Sequence, residues 1–119
     1  MTSQGTAHGR FQRAIKRRHL NAAEMAAREM GNVSLADALA LTLLTVEIGD
    51  DRWRRAAARW LGRFIVESPA MTISEAGLAA AAIQHLLAGR DSRLAAETLR
   101  QLAAAHGHAM VAALLESRP

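Results

Sequence analysis

Residues 50–64 read DDRWRRAAARWLGRF. On a wheel of 100° per residue, Arg52, Arg55, Arg59 and Arg63 fall within an arc of about 80°. Trp53, Ala57, Trp60, Leu61 and Phe64 take the opposite side. The segment is therefore an amphipathic helix, its indoles serving as core anchors and its guanidinium groups forming an outer stripe.

The neighbours of this helix have a different character. Residues 35–48 (LADALALTLLTVEI) carry leucine, valine or isoleucine around most of the wheel. Residues 73–87 (ISEAGLAAAAIQHLL) do the same after their first turn. A helix that is apolar nearly all round is normally covered on several sides. These two segments are thus expected at the centre, with amphipathic helices outside them.

Stop and start signals divide the chain consistently. A helical pattern over 10–30 places Phe11, Ala14, Ile15, Ala22, Met25 and Ala26 on one face, and Gly31 ends it. Ser34 with Asp37 makes an imperfect capping box before the second helix, which Gly49 closes. Asp50 or Asp51 caps the third helix, which runs to about 66 before Ser68-Pro69. Thr72-Ile73-Ser74-Glu75 is a full capping box for the fourth, and Gly89 closes it. Asp91 opens a fifth helix, and Gly107 separates it from a short sixth over 108–116.

The fold class expected is all-α: a compact bundle of about six antiparallel helices. A short solenoid-like repeat of helical pairs is the alternative. Shifting the sequence by 38 residues lays Ser34 on Thr72, Asp37 on Glu75, Leu61 on Leu99 and Phe64 on Leu102, and helical-pair repeats have periods of this order. Residues 1–9 are polar and glycine-containing, and are expected to be a flexible tail before a single helical domain over 10–119.

Composition supports this reading. The chain has 119 residues, half of them hydrophobic, with no tyrosine, two phenylalanines and two tryptophans. Such a mass buries about two-thirds of the surface of its unfolded chain, enough for an independent core. There is no cysteine, which excludes disulfides, thiolate metal sites and cysteine nucleophiles and accords with a cytoplasmic setting. No apolar run approaches the length of about 20 residues that spans a bilayer. The basic N-terminus is not followed by the apolar stretch of a signal peptide.

The net charge is +4 and the basic residues are clustered. Besides the stripe of Arg52, Arg55, Arg59 and Arg63, the first helix carries Arg10, Arg13, Lys16 and Arg17 opposite Phe11, Ala14 and Ile15. Aligned guanidinium groups suit phosphates or carboxylates of a partner. The competing reading is a solvated face, neutralised in part by Glu47, Asp50 and Asp51.

Catalytic signatures are lacking. The eight glycines form no phosphate-binding loop. The serines at 34, 68 and 92 sit at caps or turns. His8, His19, His85, His106 and His108 show no metal-ligand spacing beyond the weak His106-Gly107-His108 pair, so no metal or cofactor is expected. The expected function is a non-catalytic helical interaction module with a protein partner or with itself. The alternative is sequence-tolerant binding of nucleic acid through the basic faces of the first and third helices.

Overall fold

A computed structural model describes residues 5–117. It is all-helical, with seven helices and no strand among the described residues: α1 (Ala7–Lys16), α2 (Leu20–Met30), α3 (Leu35–Ile48), α4 (Trp53–Val66), α5 (Ile73–Ala88), α6 (Ser92–Ala105) and α7 (Ala109–Glu116).

The seventh helix arises where one was expected over 10–30. The chain breaks at residues 17–19, and the break is a Schellman turn. The amide of His19 donates to the Ala14 carbonyl at 2.9 Å and that of Arg18 to Ile15 at 3.0 Å. Such a turn needs a left-handed residue, here Arg18 with φ of 59°. His19 then caps α2, its Nδ1 accepting from the Ala22 amide at 3.2 Å. Helices α3, α5 and α6 end in the same bonding pattern with Gly49, Gly89 and Gly107 at the left-handed position. Glycine announces those three ends, and arginine conceals the first.

Helix α1 also starts earlier than expected. Thr6 caps it by accepting from the Gly9 amide at 3.0 Å, so Ala7, His8 and Gly9 are helical. The start of the expected tail, residues 1–4, lies outside the described residues.

The domain expected over 10–119 comprises two compact units, Met1–Trp53 and Arg54–Pro119. In the first, α1 and α2 pack across their three-residue turn and α3 joins them. Phe11, Ala14, Leu20, Ala23, Ala26 and Leu44 form the buried cluster, flanked by Ile15, Met30 and Leu41. The alanines of α2 allow its axis to approach its neighbour closely, while Phe11 fills the space between. Ion pairs fringe this unit: Arg10 with Glu29 at 2.7 Å, and Arg18 with Glu47 at 3.0 Å.

In the second unit, α5 packs on α6 and α6 on α7. Ala79, Ile83, Leu86 and Leu87 of α5 are buried, as are Ala95, Leu99 and Leu102 of α6 and Val111 and Leu115 of α7. Helix α4 contributes Trp60 and Phe64, whose rings stack 5.1 Å apart. The Phe64 ring meets His108 edge-on at 5.5 Å.

The two helices expected to be covered on several sides differ. No residue of α3 from 35 to 46 is exposed. Its buried hydroxyls are satisfied internally, Thr42 donating to the Ala38 carbonyl and Thr45 to that of Leu41, each at 2.8 Å. Helix α5 instead buries one face and exposes Ile73, Gly77, Leu78, Ala81 and Ala88. Gly77, Ala81 and Ala88 are small, whereas Ile73 and Leu78 stand 93 % and 50 % exposed.

The 38-residue offset recurs in the helix starts, α3 at Leu35 and α5 at Ile73, in the burial of both Phe64 and Leu102, and in the caps. Ser34 Oγ accepts from the Asp37 amide at 3.0 Å, and Thr72 Oγ1 from the Glu75 amide at 3.1 Å. Helices α5 and α6 share the second unit, whereas α3 lies in the first and α4 after Trp53 in the second.

Candidate interaction surfaces

Of the arginine stripe, only Arg55 and Arg59 keep the character expected of them. Arg52 lies before the first residue of α4 and is held by acids, 2.8 Å from Asp50 and 3.2 Å from Glu24. Asp50 also accepts from the Arg52 amide at 2.9 Å. Those bonds hold the Asp50 carboxyl down to about 2 and raise Arg52 further above its ordinary range. Arg63 pairs with Glu67 one turn on, at 2.8 Å. Arg55 and Arg59 are exposed and form no ion pair among the described residues. Their companion indoles turn inward as expected, Trp60 to 2 % exposure and Trp53 to a half-buried position.

The basic face of the first helix divides likewise. Arg10 is drawn to Glu29 and to the Gly5 carbonyl at 3.3 Å. Arg13 and Lys16 in the last turn of α1, and Arg17 at its C-cap, are exposed where cations complement the helix dipole.

An apolar depression lies between α5 and α6, with a volume of about 170 Å³. Leu78 and Leu94 wall it, Ala81 and Ala95 line it between them, and His85 and Thr98 contribute polar edges. Leu78 is 50 % and Leu94 69 % exposed. A larger depression of about 550 Å³ is polar, bordered by Arg93, Glu97, Arg100 and Glu116. There Glu97 and Arg100 satisfy each other at 2.6 Å, which holds the Glu97 carboxyl down to about 2.

Two polar pairs inside the second unit escape a reading of the sequence. Ser68 Oγ and His108 Nε2 share a hydrogen bond of 2.8 Å. Ser68 is 2 % exposed, so its hydroxyl is closed to a substrate and ties the α4–α5 turn to the start of α7. His106 Nε2 lies 3.2 Å from Glu75 Oε2. The other oxygen of Glu75 accepts from the Thr72 amide at 2.9 Å, completing the capping box of α5. The bond to that amide first, and then the nearby His106 imidazole, lowers the Glu75 carboxyl. The box itself was legible as Thr72…Glu75, but nothing near Glu75 in sequence indicates a histidine 31 positions on.

No group of three or more histidine, aspartate or glutamate side chains suited to a metal ion occurs among the described residues. Among the described residues, no helix is long and apolar enough to cross a membrane. No protein family, curated protein or solved structure matches this chain.

Proposed function

We propose that this chain is a non-catalytic helical interaction module that engages a protein partner or a second copy of itself, in the cytoplasm. The observation that carries this reading is the α5–α6 depression, where Leu78 and Leu94 stand exposed beside a lining of alanine. Large apolar side chains around small ones form the kind of groove into which a partner's apolar side chains insert. Two polar pairs of the second unit, Ser68–His108 and Glu97–Arg100, are meanwhile satisfied internally.

Light scattering across a concentration series tests self-association, together with binding of a hydrophobic dye. The double variant Leu78→Gln, Leu94→Gln is expected to lose association and dye binding with an unchanged melting temperature. A strictly monomeric chain that binds no dye removes the main support.

A second reading is sequence-tolerant binding of nucleic acid through basic helix faces. Arg55 and Arg59 on α4 favour it, and Arg13, Lys16 and Arg17 on α1 add to it. Affinity that falls steeply with salt is its signature.

A further inference from the structure

We infer that the Arg55–Arg59 face of α4 takes a nucleic-acid duplex by its phosphates, in preference to a single strand. This rests on the nucleic-acid reading above and narrows its partner.

The first support is charge complementarity. Helix α4 contains no acidic residue. Arg55 and Arg59 lie one turn apart, about 6 Å along the axis, and are exposed with no ion pair among the described residues. Ala58 and Gly62 share that side of the helix, and nothing lies within 4 Å of the position a Gly62 Cβ would take. The face is therefore low in relief, with two long cations free to reach a charged rod laid along it.

The second support is the placement of the aromatic side chains. Proteins that hold single strands without sequence preference stack bases on exposed aromatic rings. This chain has four phenylalanines and tryptophans and no tyrosine. Phe11, Trp60 and Phe64 are buried and stacked or packed in the two cores, and Trp53 is half-buried. Among the described residues no phenyl or indole ring is left fully exposed as a stacking platform, and the exposed imidazoles, His8 and His19, lie outside α4. Neutralisation of phosphate is then the favourable contribution that remains. It is greater on a duplex, which presents one negative charge per about 1.7 Å, than on a single strand with half that density.

The test is fluorescence anisotropy on the full chain with a labelled 20-base-pair duplex and with the same labelled strand alone, from 25 to 200 mM NaCl. Tighter binding to the duplex is expected, indifferent to base sequence. Two or three neutralised phosphates give a log–log salt slope of about −2 to −3, a loss of about tenfold to fortyfold between 50 and 200 mM. Arg55→Glu with Arg59→Glu is expected to weaken duplex binding at least tenfold. Arg55→Lys with Arg59→Lys should retain most of it, and circular dichroism melts confirm that both variants fold. Tighter binding to the single strand overturns the inference and leaves the nucleic-acid reading standing. An unchanged affinity in the charge-reversed variant also overturns it, because the contact then lies elsewhere. Binding of neither probe at 25 mM NaCl defeats the nucleic-acid reading itself. Preference for poly-glutamate over the duplex, lost in the same variant, overturns the inference in favour of an acidic protein partner.

Discussion

Ser68 and His108 are forty positions apart in the chain and 2.8 Å apart in space. The bond joins the turn after α4 to the first residue before α7, and Phe64 closes over the same imidazole. A serine hydroxyl on a histidine nitrogen resembles the start of a nucleophilic dyad, but the near-complete burial of Ser68 assigns it to structure.

Ser68→Ala is accordingly expected to lower stability by about 1 kcal/mol, the net worth of one hydrogen bond, with a larger cost if the imidazole is left unsatisfied. His108→Ala should cost more, because the aromatic edge contact goes as well. Urea denaturation followed by circular dichroism gives both numbers. A Ser68→Ala midpoint equal to that of the parent contradicts the structural role.

Arg18 offers a test with a reversed sign. Glycine in place of alanine costs stability within a helix, but at a left-handed residue the order inverts. Arg18→Gly is therefore expected to be about 1 kcal/mol more stable than Arg18→Ala, since both lose the Glu47 pair and only alanine carries the left-handed penalty. Thermal melts of the two variants decide it. A more stable alanine variant means that 10–30 is one continuous helix.

Acid should weaken the chain in a defined window. Glu75, Asp50 and Glu97 all have carboxyls lowered by bonds present only in the fold. A lowered carboxyl stabilises the fold above its unfolded value and loses that contribution as pH falls through its folded value. The ordinary values are 4.5 for glutamate and 3.8 for aspartate, with Asp50 and Glu97 held to about 2. Melting temperature is thus expected to fall between about pH 4.5 and 2. Glu75→Gln should flatten the upper part of that fall, and a curve identical to the parent's shows that the bonds to Thr72 and His106 make no difference.

The two sides of α6 should respond oppositely to substitution. Leu99 is fully buried and Leu94 largely exposed, five positions apart. Leu99→Ala is expected to cost about 2–5 kcal/mol, and Leu94→Gln to stay within about 0.5 kcal/mol. Equal losses at both positions indicate that Leu94 is packed against other side chains in solution and contradict its exposed position.

Helix identity was largely legible because caps and periodicity are local. Ser34, Thr72, Gly49, Gly89 and Gly107 each act where their residue type suggests. The break at Arg18 was hidden, since a left-handed arginine follows from how α1 and α2 pack and from no residue in the turn. The inward indoles of α4 were legible for the same periodic reason. The stripe was less so: wheel geometry places Arg52, Arg55, Arg59 and Arg63 together but says nothing about which cations find acids. Glu24 reaches Arg52 from α2, twenty-eight positions earlier, a pairing that only tertiary structure reveals. His106 and His108 likewise read only as a weak His-Gly-His pair, and their partners, Glu75 and Ser68, lie more than thirty positions earlier.

The inward position of Trp60 also gives the molecule a built-in optical reporter. With no tyrosine in the chain and Trp53 at the edge of α4, near-ultraviolet emission comes from two indoles at its start and middle. Loosening of the Trp60–Phe64 stack should shift that emission to the red. The α1–α2 hairpin, whose single aromatic ring is Phe11, is silent at those wavelengths. Trp53 closes the first unit and Trp60 lies in the second, so in a Trp53→Phe variant emission reports the second unit alone, and dichroism recorded on the same sample distinguishes concerted melting of the two units from sequential melting.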